Sequence, residues 1–443
     1  MKQSVRVIHI GVLMSLLLMA LGCASFRPVP MAQVPFKNRA VTQSDEAVSV
    51  TVVALSPDES EKIFGRELSS RGIQPVWIEI QNKDQDPYWF FPIHTDPDYF
   101  SPGEVAYMNR FRGSPSKNKQ MRAHFESMDF RVIIPPGGKV SGFIHTHMDP
   151  GLKYVNVSMY SLSLRGIKSF HFVVEVPGIK ADYQDVDLKS LYVPETYITC
   201  DERRLRVELE SLPCCTTNKD GSRKGDPLNV VFIGDLEDLL TAFVGGGWDV
   251  TETMSQGSIG RTTKSFLFGK RYRHSPVSSL YVFGRRQDAA FQKARETINE
   301  RNHLRVWLTP LRFKDLPVWI GQISRDIGVK FTLRTGFLTT HVIDPDIDND
   351  RYYLIQSLAD AKALMKMGYV KGVGVRSPVD PGYNLGGDPY YTDGLRAVLQ
   401  CTDDPTQFSE IQFFNWELRP ETKPYIDPTA GSRSKHPPAE SEK

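Results

Sequence analysis

The 443-residue chain has almost no net charge, with 54 Lys and Arg against 52 Asp and Glu, a formal +2. Nucleic-acid binding rests on a strong basic excess, so none is expected as a partner. Long apolar runs are also scarce. Ile10 to Leu21 is uncharged and apolar, and no second run of that kind follows, so the rest of the chain is expected on one side of a membrane, facing water. The common catalytic signatures are missing. There is no Gly-x-Ser-x-Gly elbow and no His-Glu-x-x-His zinc helix, which removes the usual serine-hydrolase and zinc-protease readings. Gly269-Lys270 has the look of a P-loop end, but Arg271 replaces the Ser or Thr and Lys264 stands where the first Gly belongs. Ser324-Arg325 opens like a phosphatase signature, yet His341 is too far downstream. Gly245-Gly246-Gly247-Trp248 reads as a helix stop rather than a phosphate cradle.

What is present begins at the N-terminus. Lys2 and Arg6 precede the apolar run, Gly22 follows it, and Cys23 comes next, before Pro-rich polar sequence. A run of about a dozen apolar residues is short for a membrane span and right for a signal peptide. Ala20-Leu21-Gly22-Cys23 resembles the lipobox of bacterial lipoproteins, and Ala20 with Gly22 also suits the ordinary signal peptidase, which would cut at the same bond and leave a soluble exported protein. The lipoprotein resemblance implies a signal peptide over 1–22 and palmitate-type acylation of Cys23. By the rule of that family, Ala24 after the cysteine implies the outer membrane, facing the periplasm.

Beyond the leader, 23–46 reads as a tether. Segments rich in Val, Ile, Phe and Tyr follow: Val48 to Leu55, Gln74 to Gln81, Tyr88 to Phe91, Phe130 to Ile134, Lys139 to Thr146, Tyr154 to Tyr160 and Phe170 to Val176. They predict a β-sandwich over 47–178. Ser101-Pro102-Gly103-Glu104 predicts a helix start within it. Residues 179–211 are expected as a connector. From 212 to 402 helix and strand mix: a strand Leu228 to Ile233, a helix on Leu236, Leu239, Leu240 and Phe243, strands at Ser279 to Phe283, His303 to Leu308 and Pro317 to Ser324, and a helix from Arg351 to Met367. The fold class is α+β. Residues 403–443 are expected as an extension ending in a disordered tail.

Four cysteines besides Cys23, namely Cys200, Cys214, Cys215 and Cys401, allow three pairings. Thr199-Cys200-Asp201-Glu202 predicts a helix start running through Leu205, Leu209 and Leu212 to Pro213, which holds Cys200 roughly 16 Å from Cys214 unless the chain folds back. Three outcomes stay open: a bond from Cys200 or Cys401 to one of the adjacent pair, a vicinal Cys214–Cys215 bridge, or reduced, buried thiols.

From about Leu212 to Gln400 the chain resembles the domain at the C-terminus of the LssY family. The resemblance is carried by Leu212-Pro213-Cys214-Cys215-Thr216-Thr217-Asn218 with Gly225-Asp226-Pro227-Leu228-Asn229, by Leu280-Tyr281-Val282-Phe283-Gly284-Arg285, by Phe291-Gln292-Lys293, and by His341-Val342-Ile343-Asp344-Pro345-Asp346-Ile347-Asp348. Fused members join this domain to segments similar to type 2 phosphatidic acid phosphatases, which implies business with membrane lipids. It carries over no catalytic residue.

Three constellations carry chemistry. Asp344, Asp346, Asp348 and Asp350 alternate as hard-cation ligands do, but Asn349 and Ile355 stand where an EF-hand needs Gly and Glu. Asp348 or Asp350 capping a helix explains the same pattern. Between Arg261 and Lys314 stand 13 Lys and Arg against three Asp and Glu, and Arg285, Arg286, Lys293, Arg295, Arg301 and Arg305 form a candidate phosphate-binding set, with His274 and His303 nearby. His145 and His147 share one face of a strand, with Asp149 following, a spacing compatible with zinc or copper. The function expected is a lipid-anchored envelope lipoprotein that binds an anionic membrane lipid or an envelope protein. The alternative is a metal-assisted hydrolase of phosphate or acyl esters centred on His341, Asp344 and Asp346, with a divalent cation as cofactor.

Overall fold

The computed structural model describes residues 26–163, 166–252, 277–294, 301–331 and 339–416. Cys23, His274, Arg295, the side chain of His341 and the tail after Trp416 lie outside them. The chain forms two compact units, Met1–Lys180 and Ala181–Lys443.

The first unit is a sandwich of two four-stranded sheets. One has the order β1 (Val41–Ser44), β2 (Val48–Ala54), β3 (Ile73–Asn82), β6 (Lys139–His147); the other runs β5 (Ile133–Ile134), β4 (Tyr88–Phe90), β7 (Gly151–Ser161), β8 (Ile167–Val176). Period-2 alternation makes the core: Val50, Ile78 and Ile80 from the first sheet meet Phe90, Val155, Val157 and Phe172 from the second. A third layer covers the other face of the first sheet. Helices α1 (Pro57–Phe64), α3 (Pro102–Met108) and α4 (Pro115–Ser127) bury Phe64, Val105 and Phe125 against Trp77 and Phe143, while the short α2 (Pro92–Thr95) follows β4. The start of α3 is the capping box expected from Ser101: its hydroxyl accepts from Glu104 N at 3.2 Å, and the Glu104 carboxylate accepts from Ser101 N at 3.4 Å. Gly142 permits a close crossing, since a Cβ there would lie 2.6 Å from the Asp129 carbonyl oxygen.

Residues 26–46 are not a tether. Val34 and Phe36 are buried in the third layer and β1 pairs with β2, because apolar side chains among the prolines find an open sheet face to cover. The expected strand Phe130 to Ile134 shrinks to β5.

The second unit is built on a large mixed sheet. In chain order its strands are β9 (Ile198–Cys200), β10 (Cys215–Thr217), β11 (Lys224–Pro227), β12 (Val230–Ile233), β13 (Asp249–Val250), β14 (Tyr281–Val282), β15 (Arg285–Arg286), β16 (Ala289–Ala294), β17 (Arg301–Phe313), β18 (Leu316–Phe331), β19 (Thr339–Ile343), β20 (Leu364–Lys371), β21 (Gly382–Tyr383), β22 (Pro389–Tyr390), β23 (Leu395–Cys401) and β24 (Gln412–Phe413). The order across the sheet is β13-β16-β17-β18-β12-β23-β20-β24, with β9 beside the end of β17 and β19 beside the end of β18. A small sheet β11-β10-β14-β15 lies alongside. Helices α5 (Glu202–Ser211), α6 (Leu236–Gly245) and α7 (Ile347–Asp360) complete the α+β unit. Phe243 of α6 packs on Phe232 and Phe291, whereas Leu205 and Leu209 of α5 join Val231, Trp307 and Ile320 in a separate core cluster.

Four expectations change here. Residues 179–211 are no connector: Asp182 is buried, β9 pairs with β17, and α5 enters the core. The C-terminal extension is folded as far as Trp416, with β24 on the sheet edge and Phe414 stacked on Trp416. The helix expected over 351–367 spans 347–360, then turns through Lys362 at φ 59° into β20. Cys214 and Cys215 form a vicinal disulfide, while Cys200 and Cys401 are buried and free; Cys200, at the end of β9, packs in the core cluster with Leu205 and Leu209. Among the described residues no helix is long and apolar enough to cross a membrane.

Candidate functional site

Three adjacent strands, β16, β17 and β18, set out the richest polar arrangement of the second unit. Registry pairs Gln292 with His303, His303 with Ser324, and Arg305 with Gln322. Since alternate residues share a face, Gln292, Arg301, His303, Arg305, Gln322, Ser324 and Asp326 all project from one side. The apolar core cluster continues along the same face through Trp307 and Ile320. Every one of these polar residues is buried.

The row is cross-linked. Arg301 donates from Nε to Asp326 at 3.4 Å and from Nη1 to Gln292 at 2.5 Å. Arg305 donates to Gln322 Oε1 at 2.8 Å and to Ser278 O at 3.0 Å, and Gln322 donates to Ser324 at 2.8 Å. Burial sets the electrostatics: it pushes Asp326 up to about 7 against the pull of Arg301, raises Asp226, and brings Arg305 down to about 10 against the pull of Asp226. Ser324, His303 and Asp326 have the composition of a catalytic triad but not its geometry. Nε2 of His303 faces both Ser324 Oγ, at 3.5 Å, and Asp326 Oδ1, at 3.3 Å. A relay needs the base to bridge the other two through opposite ring nitrogens. The row is therefore a buried, cross-linked polar network and not a relay.

The opposite face carries a second row, Lys293, Asn302 and Arg325, also in register. Helix α7 lies over it. Arg325 Nε sits 2.9 Å from Asn302 Oδ1 and 3.2 Å from Asp350 Oδ1, while Lys293 donates to Gly246 O at 2.7 Å and to Ser357 Oγ at 3.3 Å. Burial pushes Asp350 up to about 8, with Arg325 opposing. A cleft of about 590 Å³ opens beside Lys293, Tyr353, Gln356, Lys362 and Gln407.

The candidates from sequence distribute as follows. Asp346, not Asp348 or Asp350, caps α7, accepting from Asp348 N at 3.3 Å, and Asp344 accepts from Asp346 N at 3.0 Å. Asp348 turns inward to Thr392 Oγ1 at 2.7 Å and Asp393 N at 2.8 Å, whereas Asp350 faces Arg325. The four carboxylates thus go to different partners, and among the described residues no three Asp, Glu, His or Cys side chains converge as metal ligands. The basic candidates do not form one open face. Arg285 is locked to Asp288 by two hydrogen bonds of 2.9 Å, Arg286 lies on the small sheet, Lys293 faces α7, and Arg301 and Arg305 belong to the buried row. His145 and His147 also part company. His145 is sealed among Phe64 and Phe125, whereas His147 accompanies Asp96 at 3.0 Å and Asp149 pairs with Lys153. The strand expected from His303 to Leu308 begins at Arg301, so the Arg301-x-His303-x-Arg305 alternation is a signal that the sequence reading missed; its partners on β18 leave no local signal, because pairing is non-local.

Residues 208–395 match the family model described as the LssY C-terminus. Residues 208–395, within the second unit, accordingly form an LssY-like C-terminal domain of an α+β protein. The match takes in α7, β16, β17 and β18, and so the whole polar row. No curated protein matches the chain.

Proposed function

We propose that the protein is a lipid-anchored binding protein of the cell envelope, and that its LssY-like domain holds a small phosphate-bearing anion at the buried polar row of β16, β17 and β18. One observation carries this reading: Arg301, His303 and Arg305 line up on one sheet face with the side chains of Gln292, Gln322 and Ser324. Burying such a set costs more than filling the space with apolar side chains, a cost that an anion shared among the donors would offset. Guanidinium groups grip phosphate oxygens in bidentate fashion, and neutral amide and hydroxyl donors complete the shell. The absence of a relay through His303 favours binding over hydrolysis. The leader ending in Cys23 is what recommends a membrane lipid headgroup as the source of the phosphate.

The test is calorimetric titration of the Cys23→Ser chain with inorganic phosphate, glycerol 3-phosphate and a short-chain phosphatidic acid. Arg301→Gln and Arg305→Gln are each expected to weaken binding about tenfold or more, roughly 1.4 kcal/mol, while the exposed Lys224→Gln leaves it unchanged. Binding of free phosphate as tight as that of phosphatidic acid would point away from a lipid source. Folded Arg301 and Arg305 variants that bind all three like the parent would end the proposal.

A further inference from the structure

The first described residue, Phe26, is packed into the first unit. Its ring lies 5.8 Å from His124 and 6.4 Å from Phe111, and it sits against Gly65. Only Ala24 and Ser25 separate it from Cys23. Three Cα steps of 3.8 Å bound the distance between Cys23 and Phe26 at about 11 Å. A lipid on Cys23 therefore holds this unit directly against a bilayer, at the corner where Phe26 emerges.

That corner is basic. The segment from Asn109 to Met121 carries Arg110, Arg112, Lys117 and Lys119 and no Asp or Glu, while Arg122 beyond it pairs with Glu126. Phe111 gathers part of this charge, with the Arg66 guanidinium 4.4 Å and the Lys117 ammonium 5.7 Å from its ring centre. Asn118 fixes the loop by accepting from Phe111 N at 2.7 Å and donating to Phe111 O at 2.9 Å. Arg27, Arg110, Arg112 and Lys119 are exposed. Tyr107, beneath the Arg110 guanidinium at 4.1 Å, is 66% exposed, placing an amphipathic ring at the same edge.

We propose that this face, centred on Phe111 and including Arg27, Arg66, Arg110, Arg112 and Lys119, is the surface with which the protein lies on an anionic phospholipid bilayer. The inference rests on the reading of Cys23 as the anchor. Charge complementarity supplies the second argument. Basic side chains are drawn to anionic headgroups over about a Debye length, and an anchor within a few residues keeps them inside it. The anchor provides residence and the face determines orientation.

Flotation of the Cys23→Ser chain with vesicles tests the face without the anchor. Association is expected with vesicles of roughly one-third phosphatidylglycerol at low salt, and it should fall about a hundredfold in the triple variant Arg110→Glu, Arg112→Glu, Lys119→Glu. All three side chains are exposed, so the variant should unfold at the parent's midpoint. Equal association of parent and triple variant, or association with pure phosphatidylcholine as strong as with the anionic vesicles, would overturn the face. Association that persists in the triple variant and disappears in Arg301→Gln would overturn it in favour of the polar row of β16, β17 and β18. The mass of the N-terminal peptide from membrane-extracted protein tests the anchor separately: an unmodified Cys23 refutes the anchoring, and with it the reason for placing this corner on the bilayer.

Discussion

Replacing Arg396 by Met should cost the C-terminal unit about 4 kcal/mol or more, the largest loss expected of any single substitution in that unit. Arg396 is wholly buried on β23. Its guanidinium donates to five backbone carbonyls: from Nε to Leu228 at 2.9 Å, from Nη1 to Leu209, and from Nη2 to Leu212 at 3.0 Å, Gly372 at 3.0 Å and Pro213. The carbonyls of Leu209 and Leu212 belong to the C-terminal end of α5, where the helix has no donors of its own to offer and its dipole favours a cation. Arg396 thus caps α5 from a neighbouring strand and ties in the Pro213 turn before the vicinal disulfide. Burial brings its ionisation down to about 10, still far above neutrality. Met fills most of the volume but leaves carbonyls without donors, each worth about 1 kcal/mol or more. Lys keeps the charge with a single donor group and should recover only part. Gly372 has a related reason to be Gly: a Cβ there would stand 2.6 Å from Arg396 Nη1. Urea unfolding followed by tryptophan fluorescence measures the effect, and a Met variant within 1 kcal/mol of the parent would contradict it.

Arg396 also illustrates where sequence reading stops. Local signals survived well: the Val- and Ile-rich alternation of β2, β3 and β7, the capping box at Ser101, and the strand-to-helix step from Ile233 through Asp235, whose carboxylate accepts from Asp238 N at 3.0 Å. These depend on neighbours in the chain. The helix expected to continue to Met367 failed because Leu358, Ala361 and Met365 keep helical spacing across a real boundary. Lys362 takes the left-handed conformation there without being Gly, held by Thr406 N donating to its carbonyl at 2.8 Å. Nothing near position 362 announces a partner 44 residues on. The folding of 26–46 is hidden for a related reason, since the sheet face that Val34 and Phe36 cover is built by strands distant in the chain. On β17 the local charge excess marked Arg301 and Arg305 but not their partners Asp326 and Gln322, and so not the difference between an open basic patch and a buried row whose arginines are already engaged.

Acidification should weaken the first unit through His145, and His145→Phe should remove that sensitivity. The His145 ring is 1% exposed, packed edge-on to Phe64 at 5.0 Å and stacked on Phe125 at 5.8 Å, and neither ring nitrogen has a hydrogen-bond partner. Burial without a compensating donor or acceptor pushes its ionisation down to about 3. In the unfolded chain the same group protonates near 6.5. Between those values the unfolded state holds a proton that the folded state refuses, so stability falls as pH drops through this window and is undiminished above it. The slope for one proton is about 1.4 kcal/mol per pH unit, or roughly 2 kcal/mol lost from pH 6.5 to 5. Asp129 works in the other direction. Burial raises it to about 6, so between 6 and 3.8 the folded state binds the extra proton and acid favours folding. The comparison that isolates His145 is therefore parent against His145→Phe. Phe fits the aromatic surroundings and does not titrate, so its advantage in unfolding free energy should be constant above pH 7 and widen by about 1.4 kcal/mol for each unit below 6.5. Denaturant titrations at pH 7.5, 6, 5 and 4.5 would measure it, and a difference that stays flat across that range would mean the imidazole protonates in place.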